Sequence, residues 1–203
     1  MALSIPTLSS VRKPLRAELR SKRRALSPEE RERAARQVAR NVDRTFRLRA
    51  GMRVAIYAAM REELDTGPLI ALALARRCRV FLPRIDRRTV QIDFHELLAD
   101  AHQTTNHLGI LEPEGTATVP ARWLDLVLLP LVGFDESGVR LGMGGGYYDR
   151  TFAFRNIHTR WRGPRLVGIA YSFQQLPAIA CAPHDVRMDA VVTDKGVIRC
   201  RTG

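Results

Sequence analysis

The most informative stretch of the sequence is Gly138-Val139-Arg140-Leu141-Gly142-Met143-Gly144-Gly145-Gly146-Tyr147-Tyr148-Asp149-Arg150. It follows an apolar run, 124–132, and precedes a predicted helix over about 149–155. Glycine reaches positive φ at little steric cost and lets backbone N–H groups approach a ligand closely. Successive exposed N–H groups form a concave anion site, to which the start of a helix adds positive potential. We therefore predict a loop that holds a polyphosphate, flanked by the cations Arg140 and Arg150.

The alternative for this stretch is a glycine-rich hairpin or linker without a ligand. Two familiar nucleotide loops are excluded. The sequence lacks Gly-x-x-x-x-Gly-Lys-Ser/Thr, so the stretch is not a Walker loop, and the dinucleotide fingerprint would need a glycine where Tyr147 stands. The Tyr-Tyr-Asp-Arg tail and the apolar strand before the loop favour a functional site.

Composition sets the broad class of the protein. The chain has 203 residues, of which 45% are hydrophobic, enough for one globular domain with a sizeable core. Its net charge of +12 attracts anions, whether nucleic acid, a membrane surface or a phosphorylated or carboxylated small molecule. The three cysteines, Cys78, Cys181 and Cys200, suggest neither a disulfide framework nor a zinc site, so we expect a reducing, cytoplasmic setting.

The N-terminal part combines a polar extension with a basic helix. Residues 1–11 lack the apolar core of a signal peptide and are predicted to be a flexible extension, with an organellar transit peptide as the alternative. Residues 12–203 are predicted to form a single domain. Arg12 to Leu26 is predicted to be a helix that is rich in arginine and lysine. A solvated basic face is the simplest interpretation of that helix taken alone.

The rest of the chain alternates between helices and apolar strands. A second helix should run from Ser27 to about Arg47, because Ser27 can cap it and Glu30 completes a capping box. Short apolar runs predict strands near residues 54–58, 79–85, 90–94, 124–132, 166–171 and 190–193. This pattern predicts an α/β fold: a single domain with a mostly parallel sheet, helices on both faces and an N-terminal helical pair. The site should lie at the carboxyl ends of the strands.

From about Arg12 to Val197 the chain resembles the 5-formyltetrahydrofolate cyclo-ligase family, whose members are also called 5,10-methenyltetrahydrofolate synthetases. The most specific match is 130–135 followed by Gly138 and 140–150. The supporting matches are Arg12-Lys13-Pro14-Leu15-Arg16, Glu63-Leu64-Asp65-Thr66, Leu82-Pro83-Arg84, Gly109-Ile110-Leu111-Glu112-Pro113, and His184-Asp185 with Asp189 and Thr193.

The resemblance implies a ligase that uses ATP and Mg²⁺ to close 5-formyltetrahydrofolate to 5,10-methenyltetrahydrofolate, releasing ADP and phosphate. The formyl oxygen is phosphorylated, N10 of the same folate attacks that carbon, and phosphate leaves. Such an enzyme must align the γ-phosphate with an amide oxygen and keep water out. The implied partners are ATP and the folate, including polyglutamylated forms. We expect no nucleic-acid or membrane partner, and a monomer.

The resemblance also assigns roles to single residues. ATP binding is implied for Arg12, Lys13, Arg16, Arg140, Leu141, Gly142, Met143, Gly144, Gly145, Gly146, Tyr147 and Tyr148. Of these, Arg140 and Tyr147 are the implied catalytic residues. Substrate binding is implied for Ala58 and Glu63, since a carboxylate can accept two hydrogen bonds from pterin N–H groups. Metal binding is implied for Asp149 and Asp189.

The chain departs from the family at two cationic positions. Many members have lysine where this chain has Arg12 and Gly145. Phosphate binding here is therefore expected to depend more on backbone N–H groups and on the arginines. For His184-Asp185 a role in orienting a loop near the site and a plain surface role both stay open.

Two other functions are compatible with parts of the sequence. A basic nucleic-acid-binding protein would explain the charge, although aromatic residues make up only 6% of the chain and the basic residues are spread along it. Salt-dependent oligonucleotide binding that ATP does not displace would favour that function. A small-molecule kinase with the same phosphate loop would release a stable phosphorylated product, whereas the cyclo-ligase would release free phosphate and a methenyl chromophore.

Overall fold

A computed structural model describes residues 8–86, 88–98, 103–105, 111–113, 117–157 and 163–200. The strands are β1 (Arg53–Ile56), β2 (Arg79–Asp86), β3 (Gln91–Glu96), β4 (Gln103–Thr105), β5 (Leu111–Pro113), β6 (Thr118–Val119), β7 (Leu126–Pro130), β8 (Gly133–Phe134), β9 (Arg140–Leu141), β10 (Arg165–Ala170), β11 (Ala190–Thr193) and β12 (Gly196–Arg199). The helices are α1 (Leu8–Arg24), α2 (Pro28–Phe46), α3 (Gly67–Ala75), α4 (Tyr147–Thr151) and α5 (Phe154–Ile157).

Eight strands form one sheet in the order β12-β11-β10-β7-β1-β2-β3-β6. The five central strands from β11 to β2 are parallel, whereas β12, β3 and β6 join the two edges in antiparallel pairs. The predicted mostly parallel sheet is confirmed. The predicted strand near residues 90–94 also forms, but it pairs antiparallel with β2, because the short turn between them allows only a hairpin.

Both faces of the sheet are covered, as predicted, and β7 shows how the sequence achieves this. Leu126 and Leu128 pack into a cluster with α2 and α3, whereas Val127 and Leu129 belong to the cluster on the opposite face. All four side chains are buried. Each buried leucine or valine side chain contributes about 1.5–3 kcal/mol, so this strand anchors both layers.

Helix α1 packs against the edge of this core through one buried leucine. Leu19 contacts the cluster that contains Val132, Val139 and Leu141. Gly133 permits this approach, since a Cβ atom there would lie 2.8 Å from Leu19 Cδ1. The helix begins at Leu8 rather than at the predicted Arg12, so residues 8–11 are helical and not part of an extension. Residues 1–7 lie outside the described residues, and the extension remains a prediction for them.

Two further details differ from the sequence-based expectation. The helix predicted over about 149–155 is divided into the five-residue α4 and the four-residue α5, so little helix dipole is directed at the glycine loop. Two hairpin strands, β8 and β9, precede that loop where only a motif was noted. Of the family-like stretch 109–113, residues 109–110 lie outside the described residues. In the described ranges, no helix has the length and apolar character needed to cross a membrane.

The start of α2 is a capping box, as the sequence predicts. The Glu30 N–H donates to Ser27 Oγ at 3.2 Å, and the Ser27 N–H donates to Glu30 Oε2 at 2.8 Å. Replacing Ser27 with alanine removes one of these bonds and should lower the free energy of unfolding by about 1 kcal/mol. Urea denaturation measures the effect, and Ser27→Asp, which retains an acceptor, is the control. No loss in Ser27→Ala, or an equal loss in Ser27→Asp, would show that the side-chain acceptor does not stabilise the helix.

Candidate active site

A cleft of about 340 Å³ opens at the carboxyl ends of the central strands. Its floor contains Tyr57 and Ala58, which follow β1, and Pro130 and Leu131 at the end of β7. The glycine loop forms one wall and the first half of α1 forms another. The location agrees with the predicted position at the carboxyl ends of parallel strands.

The glycine loop, Gly142–Gly146, presents its backbone to the cleft. Gly144 has φ 103° and Gly146 has φ 64°, conformations that side chains with a Cβ rarely adopt. All five residues of the loop line the cleft. None of their backbone N–H groups donates a hydrogen bond to another described residue. These donors are therefore available to a ligand with many acceptor oxygens, such as a polyphosphate.

Two arginines hold this loop by its carbonyl groups. Arg16 Nε donates to Gly142 O at 2.8 Å, and Arg150 Nη2 donates to Gly145 O at 2.5 Å. Arg150 also donates to Val90 O at 2.9 Å, and its guanidinium lies 5.3 Å from the centre of the Tyr147 ring. Arg150 does not line the cleft. The sequence predicted a cation that flanks the phosphate site. In the structure, Arg150 stabilises the loop conformation through its hydrogen bonds to Gly145 O and Val90 O.

Arg140 and Asp149 form a nearly buried pair beside the loop. Arg140 Nη2 donates to Asp149 Oδ1 at 2.7 Å, and Arg140 Nη1 donates to Val186 O at 2.5 Å. The Val186 N–H donates to the same Asp149 oxygen at 3.0 Å. Only 8% of Arg140 is exposed. The pair therefore fixes the loop against residues 184–186, and loss of one partner would leave an uncompensated charge.

Glu63 also lines the cleft and lies in a short turn after β1. Its Oε2 accepts a hydrogen bond from the Met60 N–H at 3.1 Å, and its own N–H donates to Met60 O at 2.8 Å. Burial raises the pKa of Glu63, although the bond from Met60 and the nearby Arg23 oppose this. Tyr148 also lines the cleft, and burial together with the charge of Glu63 raises its pKa. The result is one buried carboxyl group among aromatic side chains.

The two predicted metal ligands are not brought together. Asp149 lines the cleft, but Asp189 does not. Asp189 binds Arg155 through both oxygens, at 2.7 and 2.9 Å, and accepts the Leu166 N–H at 2.7 Å. These bonds engage both oxygens of its carboxylate, and metal binding by Asp189 stays a prediction.

Asp185, four residues earlier, lines the cleft together with Asp149 and Glu63. Its Oδ2 accepts hydrogen bonds from Arg12 Nη2 at 2.5 Å and from the Ala182 N–H at 2.8 Å. Burial raises the pKa of Asp185, but the hydrogen bonds from Arg12 and Ala182 outweigh this, so its pKa falls. Its only signal in the sequence was the His184-Asp185 pair of the family pattern, and His184 also lines the cleft.

Most other predicted site residues meet in the cleft. It is lined by Arg12, Arg16, Ala58, Glu63, Arg140, Gly142, Met143, Gly144, Gly145, Gly146, Tyr147, Tyr148 and Asp149. Lys13 is exposed and does not line it, and the Leu141 side chain is buried in the core below the loop. The cleft also has an apolar lining from Pro83, Ile85 and Ile92. These residues were not predicted to belong to the site, because a strand pattern does not tell which face of the sheet contacts a ligand.

Comparison with known proteins gives consistent matches over nearly the whole chain. A family model described as the 5-formyltetrahydrofolate cyclo-ligase family matches residues 8–194. The chain is 32% identical to the 5-formyltetrahydrofolate cyclo-ligase of Mus musculus over 193 residues, 92% of this chain and 95% of the relative. It is 33% identical to the Escherichia coli K12 protein of that name over 184 residues, 88% of this chain and 98% of the relative.

Two solved structures of 5,10-methenyltetrahydrofolate synthetases are also similar to this chain. The NMR structure of Aquifex aeolicus 5,10-methenyltetrahydrofolate synthetase is similar to this chain with a TM-score of 0.80 and 31% identity. The similarity covers 95% of this chain and 94% of that one. A synthetase structure from Mycoplasma pneumoniae has a TM-score of 0.70 at 26% identity, over 90% of this chain and 98% of that one.

The positive φ values of the loop can be tested directly. Gly144→Val and Gly146→Val should each weaken the affinity for an ATP analogue roughly 10-fold or more, since such backbone strain costs about 1–3 kcal/mol. Gly51→Val is the matched control, because Gly51 has φ 76°, has open space where a Cβ would lie, and is outside the cleft. Titration calorimetry and thermal denaturation give the two readouts. Equal analogue affinity in all three variants would refute the role of the loop.

Proposed function

Because the chain belongs to the 5-formyltetrahydrofolate cyclo-ligase family, we propose that this cleft closes 5-formyltetrahydrofolate to 5,10-methenyltetrahydrofolate at the expense of ATP. One observation carries the proposal: a single cleft contains unbonded backbone donors at the glycine loop and a buried carboxyl group at Glu63. The first suits a triphosphate, and the second suits the N–H donors of a pterin ring. Tyr57, Ala58 and Ile85 provide apolar contact for the flat ring.

Each proposed role follows from a position in the cleft. The loop N–H groups, Arg12 and Arg16 bind the phosphates, while Glu63 orients the pterin. Holding both substrates in one enclosure makes phosphoryl transfer effectively unimolecular. Arg140 and Tyr147 lie beside the loop, where the Arg140 guanidinium can stabilise charge on the transferred group.

The chemistry balances in two steps. The γ-phosphoryl group leaves the β-phosphate oxygen and bonds to the formyl oxygen, releasing ADP. The N10 electron pair then bonds to the formyl carbon, the C–O bond to phosphate breaks, and the N10 proton is lost. Phosphate leaves, and the methenyl bridge is formed. The enclosure also limits attack by water on the activated formyl carbon.

The acidic residues of the cleft fit magnesium if Asp185 replaces Asp189. Mg²⁺ is usually held by one or two carboxylates together with substrate phosphates and water. Asp149 uses Oδ1, and Asp185 uses Oδ2, for the hydrogen bonds described above, so each retains one further oxygen toward a cation. No group of three or more His, Cys, Asp or Glu residues suited to a metal occurs among the described residues. Bound Mg²⁺ would neutralise phosphate charge.

We propose that the enzyme is a cytoplasmic monomer. It also accepts folates with several glutamates, whose carboxylates the net charge of +12 would attract.

The decisive assay mixes the protein with 5-formyltetrahydrofolate, Mg²⁺ and ATP. Methenyl absorbance with equimolar free phosphate supports the proposal. A stable phosphorylated product would favour the kinase, and ATP-insensitive oligonucleotide binding without turnover would favour a nucleic-acid-binding protein.

Glu63 should govern folate binding and its pH dependence. Glu63→Gln removes the charged acceptor and should raise KM for the folate roughly 10- to 100-fold, with a much smaller change for ATP. In the parent protein the carboxylate must be ionised to accept pterin hydrogen bonds, and burial raises its pKa. KM for the folate should therefore rise as pH falls, starting at a higher pH than for an exposed glutamate. Steady-state kinetics from neutral to mildly acidic pH measure this rise in KM. Glu63→Gln should not show it. Equal effects on both substrates would contradict the assignment.

Substitution of the three acids separates the two metal assignments. Asp149→Asn and Asp185→Asn should each raise the Mg²⁺ concentration needed for half-maximal rate, by about 10-fold or more if each supplies a ligand. Asp189→Asn should leave that concentration unchanged and lower stability, because it breaks the Arg155 pair. Rates across a Mg²⁺ titration, with melting temperatures, provide the comparison. A metal effect confined to Asp189→Asn would contradict the proposal that Asp185 holds the metal and would favour Asp189.

A further inference from the structure

Helix α1 carries arginines at positions 12, 16, 20 and 24. Residues four apart are neighbours on a helix surface, so these side chains form one stripe. At 1.5 Å per residue the stripe is roughly 18 Å long. It therefore extends along the helix from the region of the glycine loop to the turn that contains Glu63.

The first half of the stripe contacts the proposed nucleotide end of the cleft. Arg12 binds Asp185 and donates to Ala180 O at 2.6 Å, while Arg16 donates to Gly142 O at 2.8 Å. Arg12 and Arg16 both line the cleft. Whatever occupies the glycine loop meets this half of the helix.

The second half of the stripe contacts the turn that carries Glu63. Arg20 Nη2 lies 3.0 Å from Glu62 Oε2, and Arg24 Nη1 lies 3.2 Å from Glu62 Oε1. Both carboxylate oxygens of Glu62 are thus held by successive turns of α1. Glu62 itself does not line the cleft, whereas Glu63 next to it does. A third contact comes from α2, as Arg31 Nη1 donates to Arg61 O at 3.5 Å.

We propose that Glu62 is a positioning residue that couples the two substrates: by fastening the Glu63 turn to α1, it makes nucleotide bound at Arg12 and Arg16 strengthen folate binding at Glu63. The inference rests on the proposed function. A nucleotide stabilises the docked position of α1, and that position presents Arg20 and Arg24 to the turn. A ligand shifts an equilibrium only by its differential affinity for two states, and here the docked helix is the state that both substrates favour.

Glu18 provides a matched control on the same helix. It pairs with Lys22 at 2.6 Å, and both side chains are about half exposed, like that of Arg24. This pair contacts neither the Glu63 turn nor the cleft. Glu18→Gln therefore removes the same charge from an α1 ion pair without touching the proposed connection.

The experiment measures folate affinity with and without a non-hydrolysable ATP analogue, for the parent protein, Glu62→Gln and Glu18→Gln. The parent should bind the folate more tightly when the analogue is present. Glu62→Gln should reduce that enhancement roughly 3- to 10-fold, in keeping with the loss of two part-exposed ion pairs. Because coupling is reciprocal, folate should also strengthen analogue binding less in Glu62→Gln than in the parent. In turnover, KM for the folate should rise while kcat stays within about 2-fold.

The double variant Arg20→Gln/Arg24→Gln tests the same connection from the helix side. It should lose the same enhancement, and adding Glu62→Gln should change it little further, because the groups act as one unit. The inference is overturned if the parent shows no enhancement, if Glu62→Gln behaves like Glu18→Gln, or if the three substitutions are additive. Failure of the proposed function would appear separately, as a parent protein that forms no methenyl product.

Discussion

The site is built around the backbone conformation of the glycine loop. Gly144 and Gly146 adopt positive φ, and Arg16 and Arg150 hold the loop by the carbonyl groups of Gly142 and Gly145. With those carbonyls engaged by arginines, the loop N–H groups remain as donors without a partner among the described residues. An anion is a suitable partner for such donors, because successive exposed N–H groups form a concave anion site.

The parallel sheet places the Glu63 turn and the glycine loop at the same end of two neighbouring strands. Strands β1 and β7 are neighbours, and the residues that follow them form the floor of the cleft. The turn with Glu63 comes shortly after β1, and the glycine loop comes after β7 and the β8–β9 hairpin. The cyclo-ligase reaction needs a phosphoryl donor and a pterin within one enclosure, and adjacent parallel strands bring the two segments to the same end of the sheet.

Local signals in the sequence were sufficient for much of this picture. The Ser27 and Glu30 capping box depends on residues three apart, and the apolar pattern of β7 reflects burial on both faces, so each could be predicted. The glycine loop could also be located, because few other functions require so many residues without a Cβ. The family resemblance, and not spacing, indicated Glu63 as a folate contact.

The positions of Asp185, Asp189 and Arg150 could not be predicted, because they depend on contacts between residues that are distant in the sequence. Asp185 and Asp189 lie four residues apart in the sequence, and only the packing of β11 against β10 turns Asp189 toward Leu166 and Arg155. Arg150 was predicted to be a cation flanking the polyphosphate loop. Its hydrogen-bond partners are carbonyl groups of the loop and of the β2–β3 turn.

A crystal structure with a non-hydrolysable ATP analogue and 5-formyltetrahydrofolate would show whether the backbone amides of the glycine loop bind the triphosphate. We expect phosphate oxygens within hydrogen-bonding distance of N–H groups between Gly142 and Gly146, with the Arg16–Gly142 bond retained and the pterin at Glu63. A triphosphate bound elsewhere, with these amides facing solvent or bonded to the protein, would contradict the account.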